Sequence, residues 1–126
     1  MRTIDVPQND WTRTLDQFSA VHDGWLVSLE VVGPLLGAQP QVHELPLRGI
    51  TAETGSRDPV ITIAVARADG GHITHVIHAP TRVQIEQTNE GADVALQIQS
   101  GDGTASILRF RTVATADSVD GMPRPF

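Results

Sequence analysis

The sequence predicts an α+β fold that is mainly β. An N-terminal helix packs on a curled antiparallel sheet, or on a small open barrel, of about six strands. Three observations predict it. One early segment carries apolar residues at helical spacing. After Gly24 the apolar period switches to two and stays there. The alternating segments are joined mainly by short turns rich in Gly and Asp, which connect neighbouring antiparallel strands. With 126 residues and no second block of composition, the chain reads as one domain over 1–126 with a single core.

The helix is predicted over about residues 8–22, in "PQNDWTRTLDQFSAVHDGW". Trp11, Leu15, Phe18 and either Val21 or His22 make one apolar face. Pro7 suits a helix start, and Gln8, Asn9 and Asp10 place polar and acidic groups where the helix dipole favours them. Gly24 fits the stop, where a left-handed residue is needed. The face reads as core-facing, because the opposite side lacks the Lys/Arg enrichment of a membrane-surface helix.

Strand pattern covers about 25–32, 41–51, 60–68, 72–79, 82–88, 92–100 and 104–112. "WLVSLEVV" sets Trp25, Val27, Leu29 and Val31 on one face, and "GPLLGAQP" reads as a loop. Pro46 cannot donate to a ladder, so the second segment is predicted as an edge strand or as bulged near Pro46 and Gly49. "VITIAVARA" alternates Ile61, Ile63 and Val65, and "DGG" gives a hairpin turn. "RVQIEQ", "ADVALQIQS" and "TASILRFRT" alternate likewise, with "TNEG" and "GDG" as turns. Residues 113–126 are polar and contain proline, and an irregular tail is expected. The predicted core is Trp11, Leu15, Phe18, Trp25, Val27, Leu29, Ile61, Ile63, Ile85, Leu96, Ile98 and Leu108.

Composition narrows function. The formal net charge is −6, there is no Lys, and the nine Arg are scattered. No basic patch is visible, so nucleic acid is not an expected partner. Two Trp, three Phe and no Tyr make no stacking platform for bases. Without Cys there are no disulfides, thiolate metal ligands or cysteine nucleophiles, which fits a cytoplasmic setting. No apolar run reads as a signal peptide or approaches the roughly 18 residues of a membrane span. P-loop, GxGxxG, GxSxG and HExxH patterns are absent, so no catalytic residue and no cofactor is assigned.

"HITHVIHAP", residues 72–80, holds three of the five histidines. On a helix, residues three apart are neighbours, and the three rings would crowd a metal. On a strand each residue advances about 3.3 Å and faces alternate. His72 and His78 would then share a face about 20 Å apart, with His75 on the other. Ile73, Thr74, Val76 and Ile77 are β-formers and Pro80 blocks a helix, so the segment is predicted as a strand and the triplet is no metal motif. His75 shares its face with Ile73 and Ile77 and is expected largely buried, neutral and hydrogen-bonded. One constellation survives: His43 and Glu44 with His75 across the sheet, as a three-ligand metal site or the polar corner of a ligand pocket.

"GWLVSLEVVGPLLGAQPQVHELPLRGI", "HVIHAPTRV" and "GDGTASILRF" resemble a bacterial family, domain of unknown function 5335. "VPQNDWTRTLDQFSAVHDGW" looks like that family's opening helix, with Pro7, Trp11, Phe18, Gly24 and Trp25 in matching places. The resemblance runs from about residue 5 to 112. Its most specific pieces are Leu45-Pro46-Leu47 with Gly49-Ile50, and His75 with Pro80. It implies a small bacterial β-rich domain and supplies no catalytic or cofactor residue. The sequence departs from the family pattern at His78 and Ala79.

The leading expectation is a non-enzymatic protein-interaction module that meets a protein partner, or a second copy, through an edge strand. In one version its acidic surface covers a basic partner. The alternative is a small-ligand or metal-binding barrel using His43, Glu44 and His75. A purely structural or stress-associated role fits the same features.

Overall fold

Trp11, Leu15 and Phe18 are spaced four and three apart, so their side chains stack on one side of a helix and bury together. In the computed structural model, which describes residues 1–55 and 57–111, helix α1 spans Trp11–Val21. The expected tail, 113–126, lies outside the described residues. Residues Gln8–Asp10 form a separate 3₁₀ turn, closed by the Asp10 N–H donating to the Pro7 carbonyl at 2.9 Å. The α-helix therefore begins three residues later than the sequence predicts. Val21 is 66% exposed and His22 only 1%, so the apolar stripe continues through His22. Gly24, at φ 85°, ends the element in the left-handed region. Its N–H donates to the Leu47 carbonyl, and the Leu47 N–H donates to the Trp25 carbonyl, both at 2.8 Å. The helix exit is thereby pinned to the sheet.

The described residues form eight strands: β1 Arg2–Val6, β2 Leu26–Gly33, β3 Gly37–Glu53, β4 Val60–Ala66, β5 His72–His78, β6 Pro80–Gln87, β7 Asp93–Ser100 and β8 Ala105–Arg111. They form one antiparallel sheet in the order β1-β6-β7-β8-β2-β3-β4-β5. This corrects the expected curled sheet or small barrel of about six strands. The sheet is open, with β1 and β5 at its two ends, and is neither closed nor strongly curled.

The change of direction is concentrated in β3. Pro46 does not mark an edge, since β3 lies between β2 and β4. The bulge reading holds instead. Val27 and Leu29 of β2 face Leu45 and Val42, so three steps on β3 match two on β2. The same excess recurs between Leu29 and Glu30, and between Leu47 and Gly49 against β4. Each time the extra residue lies on β3, which bends the bulged strand and leaves its neighbours regular. Glu44, at φ 50°, sits in one of these irregularities.

Two further expectations change. "GPLLGAQP" is a tight hairpin tip at 34–36, and β3 already begins at Gly37. Strand β1 carried no usable sequence signal, since four of its five residues are exposed. It is held to β6 by register and by side chains: Arg2 to Gln87, Thr3 to Glu86 and Asp5 to Arg82.

One apolar cluster joins Trp11, Leu15 and Phe18 of α1 to inward residues of all eight strands, β1 contributing only its last residue, Val6. All the predicted core residues are buried except Trp25, which is half-buried. Trp11 donates its indole N–H to the Val6 carbonyl at 2.9 Å, so its one polar group is satisfied inside the core.

Candidate functional site

Strand β5 is where the sheet stops. Its burial alternates as the sequence predicts: His72, Thr74, Val76 and His78 are exposed, Ile73 and His75 half-buried, and Ile77 buried. It pairs along its length with β4, from Ala66↔His72 to Val60↔His78. Among the described residues its other flank has no strand partner. An edge strand leaves about half of its backbone N–H and C=O groups without a ladder partner.

The inner side of β5 reaches β8. His75 Nε2 lies 3.3 Å from Ser106 Oγ, and Ser106 is only 4% exposed. A recess of about 220 Å³ opens beside this pair, lined also by Val31, Ser100, Asp102 and Thr104. Asp102 is held below the usual carboxylate range by the Thr104 backbone N–H and then by the Thr104 hydroxyl. Its Oδ1 already accepts both bonds. Among the described residues no carboxylate is hydrogen-bonded to the second ring nitrogen of His75. A serine and an imidazole in contact are thus present, without the orienting acid or the exposed hydroxyl that acyl transfer needs.

Burial pushes the His75 pKa below its ordinary 6.5. Above pH 6.5 the ring is neutral in both folded and unfolded chains. As pH falls from 6.5 toward the depressed folded value, the unfolded chain takes up a proton that the folded one resists. Stability is expected to fall over that window. Urea midpoints for the wild type and His75→Gln at pH 7.5, 6.5 and 5.5 test this. The variant is expected to lose less stability between pH 6.5 and 5.5, and equal losses would remove His75 as the cause.

The other two predicted site residues do not join His75. His43 is exposed on β3, outside the stretch that pairs with β4. The row through His75 crosses β4 at Ile63 and β3 at Ile50, far along the strand from His43. Glu44 is committed elsewhere: its carboxylate pairs with Arg111 at 2.6 Å, and its N–H donates to Ser28 Oγ at 3.1 Å. Among the described residues no group of three or more His, Asp or Glu is placed to hold a metal ion.

Sequence reasoning offered His22 only as one of two residues for the helix stripe and missed its polar contacts, though it is buried at 1% exposure. Its Nδ1–H donates to the Phe18 carbonyl at 2.7 Å, and its Nε2 faces Asp93 Oδ2 at 3.2 Å. Phe110 stacks on the ring at 4.6 Å, and Phe18 and Trp25 contact it at 4.2 and 4.5 Å. The available signal was the four-residue step from Phe18 on the apolar stripe. Nothing in the spacing pointed to Asp93 on β7. This cluster ties α1 to β7 and β8 and borders a shallow recess between helix and sheet.

Among the described residues no helix is long and apolar enough to cross a membrane. No solved structure matches the chain. An uncharacterized protein of Aquifex aeolicus (strain VF5) is 27% identical over 111 residues, which cover 88% of this chain and 94% of that protein. The strand registers, the helix and the residues that carried the resemblance all fall inside one family model. Matched over residues 2–119, the chain belongs to the family of unknown function DUF5335.

Proposed function

We propose that this protein is a non-enzymatic interaction module that binds an extended polypeptide along the free edge of β5. One observation carries the reading: β5 is a seven-residue edge strand with no proline and no Asp, Glu, Lys or Arg. Proteins normally guard such edges with charge, proline or bulges. The opposite edge is guarded in that way. In β1, Arg2 and Asp5 are charged, and Asp5 is ion-paired to Arg82. An unguarded edge of β-forming residues offers main-chain hydrogen bonds for strand addition, with exposed Thr74 and Val76 to read alternate side chains.

Two features support the reading. At the β2–β3 tip Leu35 is 97% exposed and Leu36 is 59% exposed. That tip adjoins the 100–104 turn that also lines the β5 recess, giving an apolar anchor near the edge. The net charge of −6 speeds the approach of a basic partner, while none of that charge lies on β5, so the edge itself does not repel a second copy. The ligand-pocket reading is weaker, because the recess beside His75 is smaller than the roughly 300–1,000 Å³ of small-molecule sites.

Amide hydrogen exchange on complexes isolated from the native host tests the proposal. About half of the β5 amides are expected to exchange fast in the isolated chain, and to become protected in the complex. Protection confined to other surfaces, with β5 still exchanging, would sink it.

A further inference from the structure

We infer that the occupant of the β5 edge is β5 of a second copy, paired antiparallel about a two-fold axis at His75. The inference rests on the edge-docking reading and names its partner.

The strand is a near-palindrome. "HITHVIH" reads the same from either end except for Thr74 against Val76, which have nearly the same shape. In an antiparallel pair centred on His75, His72 faces His78 of the second copy, and Ile73 faces its Ile77. Thr74 faces its Val76, and the two His75 residues face each other. A two-fold interface must be self-complementary, with one patch meeting itself. Here every facing pair is compatible: neutral-capable His with His, Ile with Ile, and Thr with Val.

The register also respects the faces of the sheet. Residues directly opposite in an antiparallel ladder point to the same side. Centring on His75 therefore aligns Ile73, His75 and Ile77 of both copies on the core side. It leaves His72, Thr74, Val76 and His78 of both copies on the outer side. A one-residue slip would set the core face of one copy level with the exposed face of the other.

Charge permits the contact. Across β4 the histidines sit beside Ala66, Ile63 and Val60, which are uncharged. Asp102 lines the recess with His75 and His78, and Arg57 and Asp58 line a second recess with His78. No Arg, Asp or Glu lies on β5 itself to oppose its own copy. The pairing would join two eight-stranded sheets edge to edge. A strand of this length spans only about 23 Å, so the contact lies at the small, weak end of specific interfaces. A reversible dimer in fast exchange with monomer follows.

Sedimentation equilibrium of the purified full chain from about 1 μM to about 1 mM tests it. The wild type is expected to pass from monomer to dimer across that range. His72→Lys with His78→Lys sets like charges opposite one another, and so does His72→Glu with His78→Glu. Each double variant is expected to weaken the dimer by about tenfold or more. An equimolar mixture of the two should restore it, because among antiparallel registers this one alone sets each Lys directly opposite a Glu. Both positions are exposed, and thermal melts of the dilute variants confirm the fold. A wild type that stays monomeric to about 1 mM overturns self-pairing. So does a dimer that survives in both double variants, or a mixture that fails to associate. If self-pairing fails while β5 is protected in a complex with another protein, the edge-docking reading stands alone. If neither is seen, both fall.

Discussion

Replacing Phe18 by Ala is expected to destabilise the protein by about 3–5 kcal/mol. Phe18 is the third member of the helix stripe and is 7% exposed. Its ring centroid lies 4.2 Å from that of His22 and 5.2 Å from that of Phe110. The substitution removes most of a buried aromatic surface and leaves a cavity that α1 cannot close. The Gly24–Leu47 and Leu47–Trp25 bonds fix the helix exit against β3. A fall in Tm of roughly 10–20 °C should accompany the loss. A change below about 0.5 kcal/mol in urea titration would mean that the stripe is a surface and that the helix docking is wrong.

Replacing His22 by Ala is expected to cost about 3 kcal/mol or more. Two terms contribute. The ring packs among Phe18, Trp25 and Phe110, and its loss opens a void. Its two nitrogens also serve the Phe18 carbonyl and the Asp93 carboxylate, which lose those contacts. His22→Phe separates the terms, since it keeps the ring volume and removes both nitrogens. It should cost about 1–3 kcal/mol, the penalty for polar groups left without partners. A double-mutant cycle of His22→Phe with Asp93→Ala is expected to give a coupling of about 0.5–3 kcal/mol. No coupling would assign the whole effect to packing.

What could be read in advance follows from where each signal lives. Helix α1 and the alternating strands were legible because burial sets their period, and period is a local property of sequence. The outward and inward histidines of β5 were legible for the same reason. β1 was not, because "RTIDV" buries one residue and owes its place to a distant strand. The start of β3 was hidden because "GPLLG" carries the same turn residues in a loop as in a hairpin tip. Sheet order is a matter of long-range pairing, so spacing gave neither the open edge at β5 nor the interior place of β3. For the same reason spacing could not say that His43 and Glu44 lie on a different stretch of the sheet from His75. Each residue was real, but Glu44 was already taken by Arg111 on β8. The His22–Asp93 contact needed α1 and β7 brought together, which no pattern in either segment announces.

The placement of β1 sets an order of events in folding. Most neighbours in the sheet are hairpins whose partners lie a few residues apart, and such contacts form early. Two pairings are different: Arg2 of β1 meets Gln87 of β6, and Leu26 of β2 meets Arg111 of β8, each across 85 residues of chain. Closing a loop of that length is slow, and the closing contacts stabilise only after the entropy has been lost. Of the two, β1 lies at the end of the sheet and buries one residue, so it frays first. A chain leaving the ribosome holds its first strand idle until β6 has followed it out, and whenever β1 is undocked β6 is a second open edge.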